Sequence, residues 1–83
     1  MDRLERKTNL FYYEYLPDIK EIILKIKEKG IDVSGIEAII ADFEEAVSKK
    51  DYLSADQLIV MLEEEVEKAK LEAGIFDSFG LGI

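Results

Sequence analysis

The side chains of this 83-residue chain that could do chemistry are carboxylates, lysines, tyrosines and a few hydroxyls; it has no histidine and no cysteine. The missing histidine removes the usual general base and the commonest transition-metal ligand. The missing cysteine removes thiolate nucleophiles, disulfides and thiolate metal sites. Ser34, Ser48, Ser54, Ser78 and Thr8 carry hydroxyls, but a hydroxyl attacks only when an adjacent base takes its proton. No spacing places a lysine beside one. The acidic run Glu63-Glu64-Glu65 with Glu67 raises the question of a bound cation. Consecutive helical residues point in different directions, so only Glu63 and Glu67 share a face. Helical di-metal sites also use a Glu-x-x-His element, which this chain lacks. The run reads instead as a solvated helix face, with Glu64–Lys68 and Glu67–Lys70 paired at i,i+4 and i,i+3. Gly30 and Gly35 read as a helix end and a turn, and no lysine follows either in a phosphate-loop pattern. No catalytic residue, metal site or cofactor is assigned, and the chain is expected not to be an enzyme.

Apolar and aromatic residues are a stronger signal. FYYEY places Phe11, Tyr12, Tyr13 and Tyr15 within five residues, which cannot all face one side of a helix. Those left outside a core suit an interface, where tyrosine brings an apolar body and a polar tip. Leu58-Ile59-Val60-Met61-Leu62 is apolar for more than a turn, and a helix apolar all round asks for burial all round. The final stretch, GIFDSFGLGI, adds Ile75, Phe76, Phe79, Leu81 and Ile83, spaced by glycines. Together these fourteen residues form the candidate interface.

Charge narrows the partners. Residues 1–29 hold seven Lys/Arg against six Asp/Glu, net +1; residues 30–83 hold four against thirteen, net −9, giving −8 in all. Nucleic-acid binding requires clustered cations against phosphates, and Glu14 and Asp18 interleave the aromatics, so nucleic acid is not an expected partner. No apolar run approaches the ~20 residues that span a bilayer, and MDRLERKTNL has no apolar core of a secretory signal. The expectation is a cytoplasmic protein with no membrane partner. The lack of cysteine, with one Asn, one Gln and abundant Ile, Lys and Glu, fits a thermophile.

These residues must be positioned by helices. Ile19, Ile22, Ile23 and Ile26 fall at i, i+3, i+4, i+7, and Gly30 is a natural helix-ending residue after Lys25, Lys27 and Lys29. Leu4, Thr8, Phe11 and Tyr15 share a face upstream, and Pro17 interrupts the ladder, so helix 1 is predicted over about 3–29 with a bend near Pro17. Ser34-Gly-Ile-Glu37 reads as a capping box, with Val33 and Ala38 as a hydrophobic staple. It opens helix 2, about 35–49, with Ile36, Ile39, Ile40, Phe43 and Val47 inward. Asp51 caps helix 3, about 52–73, with Ser54-x-x-Gln57 as a second candidate box and Ala55, Leu58, Leu62, Val66, Ala69 and Ala73 on one face. Gly74 ends it. Short links make neighbours antiparallel. The predicted fold is an all-α, three-helix up-down-up bundle: a long bent helix 1, a hairpin of helices 2 and 3, and an extended apolar C-terminal tail, 74–83, in one domain.

Lys50-Asp-Tyr-Leu-Ser-Ala55 resembles the Gly-Asp-Tyr-x-x-Ala helix start of tetratricopeptide-like hairpins, with Lys in place of Gly. Over about residues 36–77 the chain resembles the archaeal domain-of-unknown-function family 357. The matching stretches are Phe43-Glu-Glu-Ala46, Lys49-Lys-Asp-Tyr52 and Ala73-Gly-Ile-Phe-Asp77; the aromatic, Gly-rich helix of that family is replaced by Leu-Ile-Val-Met-Leu and Glu-rich sequence. That resemblance implies a small helical protein of archaeal source and no known activity. Ile75-x-x-x-Phe79 resembles peptides that insert into sliding clamps, with Glu72 where those carry Gln and one of their two aromatics in place.

A chain this short buries only about 60–65% of its unfolded surface, and without staples it gains from oligomerisation. The expected function is a non-enzymatic helical protein–protein interaction module that forms a homodimer. The alternative is an adaptor or inhibitor that docks its apolar tail into another protein, a sliding clamp among the candidates.

Overall fold

The two apolar stripes of the first helix are out of step with each other, and the backbone resolves the mismatch. Thr8 and Phe11 are buried on one side of FYYEY, and Leu16, Ile19, Ile22, Ile23 and Ile26 on the other. Phe11 and Leu16 are five residues apart, one more than an α-turn brings onto one face. In the computed structural model, which describes residues 3–74, the helix widens here by one residue. Arg3–Leu10 is α-helical, Phe11–Tyr15 is a π-helical turn, and Leu16–Glu28 is α-helical again; together they form one bent helix, α1. The Leu16 N–H donates to the Phe11 carbonyl, the i→i−5 bond of a π-turn. Pro17 then falls in the first turn of the renewed α-helix, where no intrahelical donor is needed.

Helix α1 ends at Gly30, whose φ of +86° suits a residue without Cβ. The start of α2 (Ser34–Ser48) differs from the expected capping box. Ser34 is already helical, and its N–H donates to Asp32 Oδ1 at 2.9 Å; the Glu37 N–H donates to the Val33 carbonyl. A carboxylate two residues upstream reaches the open helix end before the Ser34 hydroxyl can act as its cap. The Ser34 N–H and hydroxyl hold the Asp32 carboxyl below its ordinary value of 3.8. The expected staple is absent too, since Val33 is buried and Ala38 is exposed.

The link from α2 to α3 (Tyr52–Ala73) is tight. The Asp51 N–H donates to the Ala46 carbonyl and the Lys50 N–H to the Val47 carbonyl, the paired bonds of a Schellman turn. Lys50 therefore takes φ +59°, at the position where the resembling hairpin motif carries glycine. Asp51 closes one helix and opens the next: its Oδ1 accepts from the Ser54 N–H at 3.3 Å.

The described residues form an all-α bundle of three helices, up-down-up. Helices α2 and α3 pair along their length, and both halves of α1 lean on α3. Ile19, Ile22, Ile26, Phe43, Ile59, Leu62 and Val66 fill the centre. Lys7 Nζ lies 2.6 Å from Asp56 Oδ1, tying the start of α1 to α3. The backbones of α1 and α2 stand farther apart, joined by Phe43 and by the Lys20–Glu44 ion pair at 3.3 Å. The expected extended tail beyond Gly74 lies outside the described residues.

Replacing Lys50 by Gly relieves the left-handed strain, less the flexibility glycine adds to the unfolded chain. The expected gain is about 0.5–1 kcal/mol by urea unfolding; a loss would show that the strain is already compensated. Asp32 has a folded-state pKa below its unfolded one, so its cap stabilises above the carboxylate range and is lost as pH falls through the folded value. Asp32→Ala therefore lowers the thermal midpoint near neutral pH, and its deficit closes in acid. A pH-independent deficit would remove the carboxylate from this role.

Candidate interaction surfaces

The π-turn distributes FYYEY between core and surface. Phe11 is buried, with its ring edge-on to Phe43 at 5.4 Å and to Tyr15 at 5.9 Å. Tyr12 and Tyr15 are half-buried, and Tyr12 lies 6.2 Å from Phe43. Tyr13 alone of the four is outside, 71% exposed, with its ring 5.0 Å from Tyr12. Three of the four aromatics thus belong to the packing, and Tyr13 is the one a partner could reach.

The run Leu58–Leu62 divides in the same way. Ile59 and Leu62 are buried, and Leu58 is half-buried. Ile59 was missing from the expected core face although it shares the phase of Ala55, Leu62 and Val66, all buried. Val60 and Met61 remain 50% and 49% exposed. They are not isolated. Leu53, Val60 and Leu71 are seven and eleven residues apart, two and three turns of a helix. They lie on one line along α3, facing away from the core. Leu53 is 63% and Leu71 58% exposed. Helical spacing alone links these three leucine and valine positions, although two of them lie outside the apolar run Leu58–Leu62.

A second feature lies across the bundle, between α1 and α2. Lys20, Ile23, Leu24, Glu37 and Ile40 line an open cavity of about 300 Å³. It continues past Lys20 into one of about 360 Å³ bordered by Tyr12, Tyr13, Leu16, Pro17 and Glu44. The Lys20–Glu44 pair bridges the groove where the two sections meet. Leu24 is exposed, while Ile23 and Ile40 form the floor. Of these groove residues the sequence points only Tyr12 and Tyr13 to an interface; Ile23 and Ile40 read there as core, Glu37 as a cap and Pro17 as a bend, because a groove arises from two helices and has no local signature.

The acidic run does not gather into a site: among the described residues, no three acidic side chains converge as metal ligands would. Lys68 pairs with Glu65 at 3.6 Å rather than with Glu64. Lys70 lies 3.8 Å from Glu67, but its side chain is only 6% exposed, so it is not on a solvated face. It sits eleven residues from Ile59 and four from Val66, in the phase of the core. Lys49 and Glu45, paired at 2.7 Å, each favour the other's charged form, holding Glu45 below and Lys49 above the ordinary values. Burial pushes the Tyr52 phenol up, and the negative charge of Glu5 adds to it. Ile75, Phe76, Phe79, Leu81 and Ile83 lie outside the described residues. Among those described, no helix is long and apolar enough to cross a membrane.

No known protein family, curated protein or solved structure matches this chain.

The division of the aromatics is measurable. Phe43→Ala removes the ring that Phe11 and Tyr12 pack on and is expected to cost about 3–5 kcal/mol in urea unfolding. Tyr13→Ala is expected to stay within about 0.5 kcal/mol of the parent. A large loss at Tyr13 would mean that its ring supports the fold.

Proposed function

We propose that this chain is a helical protein–protein interaction module that acts by docking, with no chemistry of its own, and that it self-associates through the outward face of α3. The observation that carries this reading is the line Leu53, Val60 and Leu71, with Met61 beside it, held in water on a helix whose opposite face is already in the core. The line runs ~27 Å from Leu53 to Leu71, broken by Gln57, Glu64 and Glu67, and exposed apolar groups aligned on so small a surface support an interaction site.

The charges on that face choose the arrangement. Leu53, Gln57, Val60, Glu64, Glu67 and Leu71 follow a spacing of alternating fours and threes, the seam of paired helices. A parallel pair would set Glu64 and Glu67 against their own copies. An antiparallel pair sets Leu53 against Leu71 of the partner subunit and Glu64 beside the partner's Val60, separating the carboxylates. The proposed dimer is therefore antiparallel. Since α3 carries six carboxylates against two lysines, salt screens the remaining repulsion and is expected to strengthen it.

Light scattering behind size exclusion tests this at tens of micromolar protein. The expected mass is twice the 9.5 kDa of one chain. Val60→Glu is expected to return a monomer with unchanged helical circular dichroism, its side chain being half in water already. A parent mass near 9.5 kDa, or a Val60→Glu variant that stays dimeric, would sink the reading.

A further inference from the structure

The groove between α1 and α2 faces away from α3, so the self-association proposed above leaves it open. We propose that its occupant is this chain's own segment 75–83, docking in cis.

Four observations converge on that segment. The floor and rim of the groove near Lys20 are apolar, formed by Ile23, Leu24 and Ile40, with about 300 Å³ of space. The segment supplies matching side chains, Ile75, Phe76, Phe79, Leu81 and Ile83, within nine residues. Its starting point is close by. Glu65, Lys68, Ala69 and Glu72 of α3 line a pocket with Ile31, Asp32, Gly35 and Ile36, so α3 ends beside the α1–α2 link. Glu37, the next residue, is on the rim of the groove. Gly74, left-handed at φ +74°, ends the helix there. Nine residues in extended form reach ~30 Å, against the ~15 Å that α2 takes from Ser34 to Glu44. Running beside α2 over that length would leave the segment ~15 Å with which to cross the link.

Charge contributes little: the groove lining carries Glu37 and the Lys20–Glu44 pair, and the one ionisable side chain of the segment is Asp77, so the match rests on apolar contacts. Tethering decides between this occupant and a free one. A segment held by a short flexible link has an effective concentration in the millimolar range, which a separate apolar peptide must exceed to displace it.

The chain has no tryptophan, so Phe79→Trp and, separately, Phe76→Trp each provide a single reporter on the segment. Docking is expected to shift the emission to the blue and to reduce acrylamide quenching several-fold relative to free indole. Adding Leu24→Glu, at a side chain already 60% exposed, is expected to restore exposed-tryptophan emission and quenching while helical circular dichroism stays constant. Adding Val60→Glu, or diluting the protein, is expected to leave the protection intact. That result separates this proposal from the fate of the α3 dimer.

The proposal is overturned if both reporters behave as free indole in the parent, or if Leu24→Glu leaves a protected reporter protected. Protection lost on dilution would overturn it by moving the segment onto a second copy. Protection lost in Lys70→Ala but kept in Leu24→Glu would overturn it by moving the segment to α3 and the side of α1 away from the groove.

Discussion

Phe43 has to reach across a gap. The backbones of α1 and α2 stand apart, and a fully buried phenylalanine fills the space between them, meeting Phe11 edge-on and Tyr12 at a tilt. Aromatic rings carry a large buried area in a rigid plate, which is what a wide helix pair requires. The π-turn follows from the same demand. It holds Phe11 on Phe43 while allowing Leu16, five residues on, to enter the core behind it. A regular α-turn would bring Tyr15 inward and carry Leu16 to the side. Pro17, which a continuous helix would not accept without a lost bond and a clash, falls where the helix has just restarted. One ring, one widened turn and one proline are thus parts of a single packing solution.

The groove is the other side of that solution. Phe43 spans the gap where it stands, but toward the start of α2 the facing positions are Ile40 and Glu37, and neither is a ring. The space they leave is the cavity lined with Ile23 and Leu24. Ile40 is buried at its floor, and the apolar rim at Leu24 stays in water.

Much of the helical plan was legible because it is local. The isoleucine stripe, Gly30 as a helix end and Asp51 as a cap each involve residues within a turn of one another, and periodicity with end signals determines them. The features that were not legible depend on competition or on distant partners. Asp32 and Ser34 both offer oxygen to the start of α2, and only the path of the backbone decides that Asp32 accepts. Lys50 hides a left-handed turn that a glycine would have announced. The π-turn is visible as a five-residue step between Phe11 and Leu16 only after both are known to be buried. Lys70 carries a charge, which in a sequence points to a solvated face even though the residue shares the phase of Val66. At Leu58–Leu62 every residue is apolar, and such a stretch has no phase of its own. Its orientation comes from Ala55 and Val66 on either side, which turn Ile59 and Leu62 inward and leave Val60 and Met61 outside.

A small core explains why apolar surface remains on two sides. Each helix of a three-helix bundle can bury only the sector facing the other two, and here α3 also carries Leu53, Val60, Met61 and Leu71 beyond that sector. Polar residues at those positions would leave the core of the single chain unchanged, so the fold does not ask for them. Glu64 and Glu67 interrupt the line and weaken it for indiscriminate association, since any partner must accommodate two carboxylates in the middle of the strip. That combination, apolar at the ends and acidic at the centre, favours a partner whose own apolar groups meet the glutamates and whose ends are apolar in turn. A second copy in antiparallel orientation would set Leu53 against Leu71, Val60 against Glu64 and Gln57 against Glu67, keeping the carboxylates of the two chains apart. The groove across the bundle presents no such self-complementary pattern. It is apolar at Leu24, Ile23 and Ile40 and bridged by one ion pair at Lys20 and Glu44, a shape for an inserted segment rather than for a matching helix. The two surfaces therefore differ in shape and in charge pattern, and they lie on different sides of the bundle.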